Sequence, residues 1–187
     1  LMKILIREYG SNCKIVGVAD GLGVAEDPNG LNHEELMRLF KAEKPISFFG
    51  KEKLSKDGCV FDASTDEGAQ RRNTMVFRVK ADAFVPGGGR PNTINKDNCH
   101  QFFDANGVPT SKLIVEGANL FNTKEARAYF HQNGIAVVKD STANKCGVQT
   151  SSYEVQASML LSREEFMANK DALVQDVLVK LRQAAKN

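Results

Sequence analysis

Short, continuously apolar runs set apart by capped or amphipathic segments constrain this chain more than any other feature. Lys14-Ile15-Val16-Gly17-Val18-Ala19, Ala83-Phe84-Val85, Lys112-Leu113-Ile114-Val115 and Ile135-Ala136-Val137-Val138 are too short for helices and do not alternate with polar residues. Runs of that kind suit strands buried on both faces, as in parallel sheets. Between them lie helical patterns. Asn32 with Glu35 caps a predicted helix that places Leu36, Leu39 and Phe40 on one side and stops at Pro45. Further helices are predicted over 66–79, 93–103, 124–132 (capped by Thr123) and 151–161. The last helix opens on the capping box Ser162-Arg163-Glu164-Glu165 and carries Phe166, Val174, Val177, Leu178 and Leu181 at helical intervals. Asp27-Pro28-Asn29-Gly30 marks the sharpest turn, and 46–65 reads as irregular with extended pieces near Phe48 and Val60. Strands alternating with helices imply an α/β fold: an open, mainly parallel sheet with helices on both faces and right-handed crossovers.

Composition narrows the partners. A formal net charge of +2 is not the concentrated basic stripe of a nucleic-acid surface, and Arg71-Arg72 and the basic tail 180–186 read as solvated faces. No apolar run approaches a membrane span. Cys13, Cys59, Cys99 and Cys146 are far apart and fit free thiols in a reducing compartment. His33, His100 and His131 lack ligand spacing, so no metal site is expected. Leu1-Met2-Lys3-Ile4-Leu5-Ile6 resembles the end of an amphipathic helix closed by Gly10 and Asn12, which suggests a piece of a longer chain.

In open parallel sheets, ligands sit beyond the carboxyl ends of the strands. Asp20, Gly87-Gly88-Gly89, Glu116 to Asn119 and Asn144 to Ser151 all follow predicted strands. The stretch from Asp140 to Tyr153 concentrates amides, hydroxyls and Gly147 where a helix is expected to begin and its free N–H groups attract anions. It fits a ligand site, and it also fits a well-capped helix start. Gly21-Leu22-Gly23-Val24-Ala25-Glu26 begins like a dinucleotide fingerprint, but Glu26 replaces the third glycine and Asp27-Pro28 forbids the helix that must follow. Asp20 instead suits the acid that bonds an adenosine ribose at the end of a second strand, with the glycine loop about 20 residues upstream. A plain strand-ending turn residue is the other reading of Asp20.

Three segments then carry a resemblance: 81–92 (A-D-A-F-V-P-G-G-G-R-P-N), 114–123 (I-V-E-G-A-N-L-F-N-T) and 139–155 (K-D-S-T-A-N-K-C-G-V-Q-T-S-S-Y-E-V). The chain resembles the NAD-specific glutamate dehydrogenases of the large-subunit class, over nearly its whole length. Cys146 departs from the pattern, where a second glycine is expected. The resemblance implies a Rossmann-like dinucleotide-binding domain over 1–161 that lacks its first strand and glycine-rich loop, with 162–187 as a C-terminal helix packing on it or leading onward. It implies NAD contacts at Asp20 (adenosine ribose), Pro86, Gly87 and Gly88 (backbone beside the cofactor), Asn119 (nicotinamide ribose) and Asn144 (carboxamide). Val148 and Ser151 fall on the substrate side, the serine toward a carboxylate.

The implied reaction is reversible oxidative deamination of L-glutamate to 2-oxoglutarate and ammonia. The family's acid–base lysine and aspartate match nothing here; Lys112 and Lys139 fit strand-edge positions, so no catalytic residue is expected within these 187 residues and the chain alone should be inactive. A homo-oligomeric parent enzyme in the cytoplasm or the mitochondrial matrix is implied, with no nucleic-acid or membrane partner. A dehydrogenase for leucine, valine or phenylalanine, or a non-catalytic NAD sensor, would share these motifs.

Overall fold

The computed structural model describes residues 1–186, in two compact units, Leu1–Val138 and Lys139–Asn187. The expected boundary at 161/162 falls inside the second unit, between two helices that pack on each other.

The first unit holds two three-stranded sheets. In one, β4 (Ala83–Phe84), β5 (Leu113–Val115) and β6 (Ala136–Val138) run parallel in that order, with Ile114 opposite both Phe84 and Val137. The α/β reading with a parallel sheet holds here. The other sheet was not foreseen: β1 (Gly17–Ala19), β2 (Gly23–Glu26) and β3 (Cys59–Asp62) form an antiparallel meander. Gly23–Glu26, where no strand was expected, is the buried central strand of that meander. Its terminal charge is compensated from far along the chain, since Arg71 and Arg78 both ion-pair with Glu26. Asp20 therefore follows an antiparallel strand; the Gly87–Gly89 and Glu116–Asn119 clusters follow strands of the parallel sheet, and Asn144 to Ser151 lies in the second unit.

Each sheet has its own core. Ile114, Phe102, Phe121, Phe130 and Ile135 are buried beside the parallel sheet, and the Phe102 and Phe130 rings stand 5.0 Å apart. Each fully buried phenylalanine contributes roughly 1.5–3 kcal/mol by transfer from water. Ala25, Leu36, Leu39, Ile46 and Phe49 form the core of the meander, covered by α1 (Met2–Tyr9) through Met2 and Ile6 and by α2 (His33–Lys41). The 75–79 segment touches both sheets: Val79 and Met75 lie against Gly17 of β1, and Val76 and Phe77 pack on the core beside the parallel sheet.

Capping decides where most helices start. Asn32 accepts from the Glu35 N–H at α2, Thr65 from the Gly68 N–H at α3 (Asp66–Thr74), and Thr123 from the Ala126 N–H at α4 (Lys124–Gln132). The expected helix over 66–79 ends as α-helix at Thr74 and tightens into a 3-10 turn over Met75–Phe77. The expected helix over 93–103 is absent apart from a 3-10 turn at Cys99–Phe102. Asparagines explain the loss. Asn98 Oδ1 accepts from the Asn95 N–H, Asn95 Oδ1 from the Asp97 N–H, and Asn98 Nδ2 donates to the Thr93 carbonyl. Such local bonds compete directly with the helical ladder.

The second unit comprises α5 (Asp140–Ala143), α6 (Cys146–Leu160) and α7 (Arg163–Ala184). The Ser162–Glu165 capping box forms as expected at the start of α7. The ammonium of Lys180 sits 5.0 Å above the Tyr153 ring and ties α7 to α6. Among the described residues no helix is long and apolar enough to cross a membrane.

Candidate functional site

In the first unit, the turns leaving β4 and β5 are stitched together. The Ala118 N–H donates to the Pro86 carbonyl at 2.7 Å. A Cβ on Gly117 would lie 3.1 Å from that carbonyl oxygen and 3.8 Å from the Gly87 Cα. Further along, the Asn92 N–H donates to the Leu120 carbonyl and the Ile94 N–H to the Phe121 carbonyl. Gly89 takes φ +127°, and a Cβ there would meet the Phe121 ring at 2.9 Å, so glycine is required on both counts. Gly88, by contrast, faces open space. The pair of turns thus presents uncovered backbone at Gly87 and Gly88 and an exposed Asn119 beyond the carboxyl ends of two parallel strands.

Beneath this surface lies Glu116, fully buried. It accepts from Asn122 Nδ2 at 2.6 Å and from Arg127 Nε at 3.1 Å on both carboxylate oxygens. Asn122 and Arg127 were not singled out from the sequence. The readable signal was an acid immediately after an apolar strand, with an arginine on the first turns of the next helix.

Asp20 stands apart, at the β1–β2 turn. Its carboxylate accepts three backbone N–H groups, from Leu22 at 2.8 Å, Gly23 at 3.0 Å and Ile46 at 2.7 Å. A carboxylate offers about four lone-pair directions, so one remains for a ligand hydroxyl, and Asp20 is exposed.

In the second unit, α6 begins at Cys146 without a side-chain cap, five residues before the expected start at Ser151. The capped-start reading of this segment is thereby corrected. Thr150 Oγ1 donates to the Cys146 carbonyl and Ser152 Oγ to the Val148 carbonyl. Hydroxyls bonding back four residues sit inside a helix rather than at its cap. Gly147 has no neighbour near its Cβ position, so no close backbone approach is seen there. Val148 and Ser151 line one open hollow on α6, with Gly147, Ser152 and Val155. Val148 is 72% exposed. Asn144 follows α5, its N–H donating to the Asp140 carbonyl. Among the described residues no group of three or more His, Cys, Asp or Glu side chains could hold a metal.

The family model described as "Glutamate/Leucine/Phenylalanine/Valine dehydrogenase" matches residues 3–187. The chain belongs to that dehydrogenase family. It is 44% identical over 170 residues to a Schizosaccharomyces pombe protein named "Probable NAD-specific glutamate dehydrogenase", covering 85% of this chain and 15% of the relative. It is 39% identical over 180 residues to "Glutamate dehydrogenase 2" of Dictyostelium discoideum, covering 88% and 17%. The family also includes an Escherichia coli "NADP-specific glutamate dehydrogenase", 30% identical over 149 residues, covering 79% of this chain and 30% of that relative. A solved glutamate dehydrogenase of Plasmodium falciparum superposes with a TM-score of 0.60 at 20% identity, over 95% of this chain and 35% of that one; that likeness bears on the fold alone. This dehydrogenase segment spans about one-sixth of the length of its first relatives.

Proposed function

We propose that the chain is the cofactor-binding part of an NAD-dependent glutamate dehydrogenase, converting L-glutamate, NAD and water to 2-oxoglutarate, ammonia and NADH. The observation that carries this reading is the pair of hydrogen-bonded turns beyond β4 and β5, which offer bare glycine backbone and an asparagine amide side by side. The identity of 44% to a relative named as NAD-specific supports the choice of cofactor.

Pro86, Gly87 and Gly88 form the surface against which the dinucleotide lies: the two glycines carry no side chain of their own, and the Cβ position of Gly88 has no neighbour within 4 Å while that of Gly87 has only the Leu1 side chain, at 3.8 Å. Asn119 bonds the nicotinamide ribose and Asn144 the carboxamide; an amide can donate to and accept from an uncharged partner. Asp20 bonds the adenosine ribose through its remaining lone-pair direction and repels a 2′-phosphate. Ser151 donates to a carboxylate of the amino acid, and Val148 shapes the wall beside it. NAD, when bound, supplies the acceptor for the hydride removed from the amino acid's α-carbon. The acid–base groups come from outside these residues. The domain assignment (1–161, then 162–187), the homo-oligomeric parent and a cytoplasmic or mitochondrial-matrix location belong to the same proposal.

Steady-state kinetics of the full-length enzyme across glutamate, leucine, valine and phenylalanine tests the reading. Glutamate should dominate kcat/KM. A preference for a branched or aromatic substrate would move the chain to another activity of the family, and absence of any turnover would favour an NAD sensor.

A further inference from the structure

We propose that Glu116 is a positioning residue for cofactor binding, holding the Gly117–Phe121 loop so that Asn119 is presented in one fixed place. The proposal rests on the assignment of Asn119 to the cofactor and explains how that residue is aimed.

The loop needs a restraint. Leu120, next to Asn119, has φ +55°, a conformation that costs a side-chain-bearing residue free energy and persists only where its surroundings enforce it. Leu120 is also 57% exposed, so packing of its own side chain is not the enforcing contact. Within the loop, Ala118 and Leu120 are each hydrogen-bonded to the neighbouring post-β4 turn, and a further restraint acts at the loop's two ends. At the first, the Glu116 N–H continues the parallel ladder to the Val138 carbonyl. At the second, Asn122 is 1% exposed and gives its amide N–H to the Glu116 carboxylate. One carboxylate thus closes the loop into a ring from residue 116 to residue 122. Arg127 anchors that ring to α4 by donating to both carboxylate oxygens, and its side chain is only 15% exposed.

A buried ion pair is weak evidence of stabilisation, because desolvation offsets much of the attraction, although removing one partner is costly. Its distinctive contribution here is to fix the loop.

That separates positioning from packing by experiment. In the full-length enzyme, NADH affinity is measured by fluorescence titration and stability by thermal melting for Asn119→Ala, Glu116→Gln, the double variant Glu116→Gln/Arg127→Met, and Arg127→Lys. Asn119→Ala should weaken NADH binding by roughly 3- to 10-fold, the effect of about one hydrogen bond, with the melting temperature unchanged. Glu116→Gln strands the buried Arg127 and should lower both stability and affinity. The double variant removes both charges and should recover the melting temperature while NADH affinity stays reduced by about the same factor. Arg127→Lys keeps the cation but places its nitrogen one atom beyond the Nε position that bonds both Glu116 oxygens; it should fold and lose roughly 2- to 5-fold in affinity on the same scale. Wild-type affinity in the double variant or in Arg127→Lys, with Asn119→Ala still impaired, would overturn the positioning role alone. Unchanged affinity in Asn119→Ala would overturn both that role and the assignment of Asn119.

Discussion

The carboxylate of Asp20 accepts the backbone N–H of Ile46 at 2.7 Å, across 26 residues of sequence. With Leu22 and Gly23 on its other oxygen, it ties the β1–β2 turn to the segment that follows α2. Asp20→Ala should therefore destabilise the fold, by about 1–3 kcal/mol for unsatisfied donors. In the full-length enzyme it should also narrow the preference for NAD over NADP. Melting curves together with kcat/KM for both cofactors check this; lost stability with an unchanged cofactor ratio would leave Asp20 a turn residue only.

Ser151 lies in the second turn of α6, exposed and without a capping bond. Replacing it with alanine should leave stability level or raised by up to about 0.5 kcal/mol, from helix propensity. If its hydroxyl meets a substrate carboxylate, a charge-assisted bond of about 1.5–3 kcal/mol is lost, a change of roughly 10- to 150-fold. The Michaelis constants for glutamate and 2-oxoglutarate should rise together while that for NAD hardly moves. Asn144→Ala should show the reverse emphasis. Unchanged substrate constants in Ser151→Ala would remove the residue from the site.

The parallel half of the fold was legible because its signals are local. β5 and β6 are apolar runs, and α4 is bracketed by Thr123 with the bounds its pattern predicts. The antiparallel meander was not legible, because β2 is held by partners remote in sequence: Arg71 and Arg78 neutralise Glu26 from 45 and 52 residues away. The 93–98 segment misled for the opposite reason, since its asparagines bond one another and so break a helix that hydrophobic spacing alone permits. Within the candidate site, the glycines and asparagines stood out by type. Asn122 and Arg127 did not, because their importance comes only from converging on Glu116.

Gly89→Ala should distort the post-β4 turn. The added methyl meets the Phe121 ring at 2.9 Å, and the φ of +127° is closed to alanine. A loss of about 1–3 kcal/mol is expected from a strained residue of this kind, read by denaturant midpoint. Wild-type stability would show that the turn relaxes freely.

Two buried carboxylates contribute to the acid limb of stability. Burial alone would raise Asp27, but the Ser55 N–H and hydroxyl and the Asn29 N–H together hold it below its ordinary value. The Arg38 guanidinium lowers Glu35 against the opposing effect of burial, helped by the Gly50 N–H. Folded values below unfolded ones mean that this stability is complete above the unfolded carboxylate range, about pH 4, and is lost as pH falls through the folded values. Urea midpoints should decline below about pH 5, and Glu35→Gln should flatten part of that decline. An identical acid limb in the variant would contradict the assignment.

NADH formation from L-glutamate is to be measured in parallel for the 187-residue chain and for the full-length enzyme. With cofactor and carboxylate contacts in this segment and the acid–base groups on residues elsewhere, the full-length enzyme should turn over and the segment should not, at any NAD concentration. Glutamate oxidation by the 187 residues alone, or none by the full-length enzyme, would contradict that division of roles.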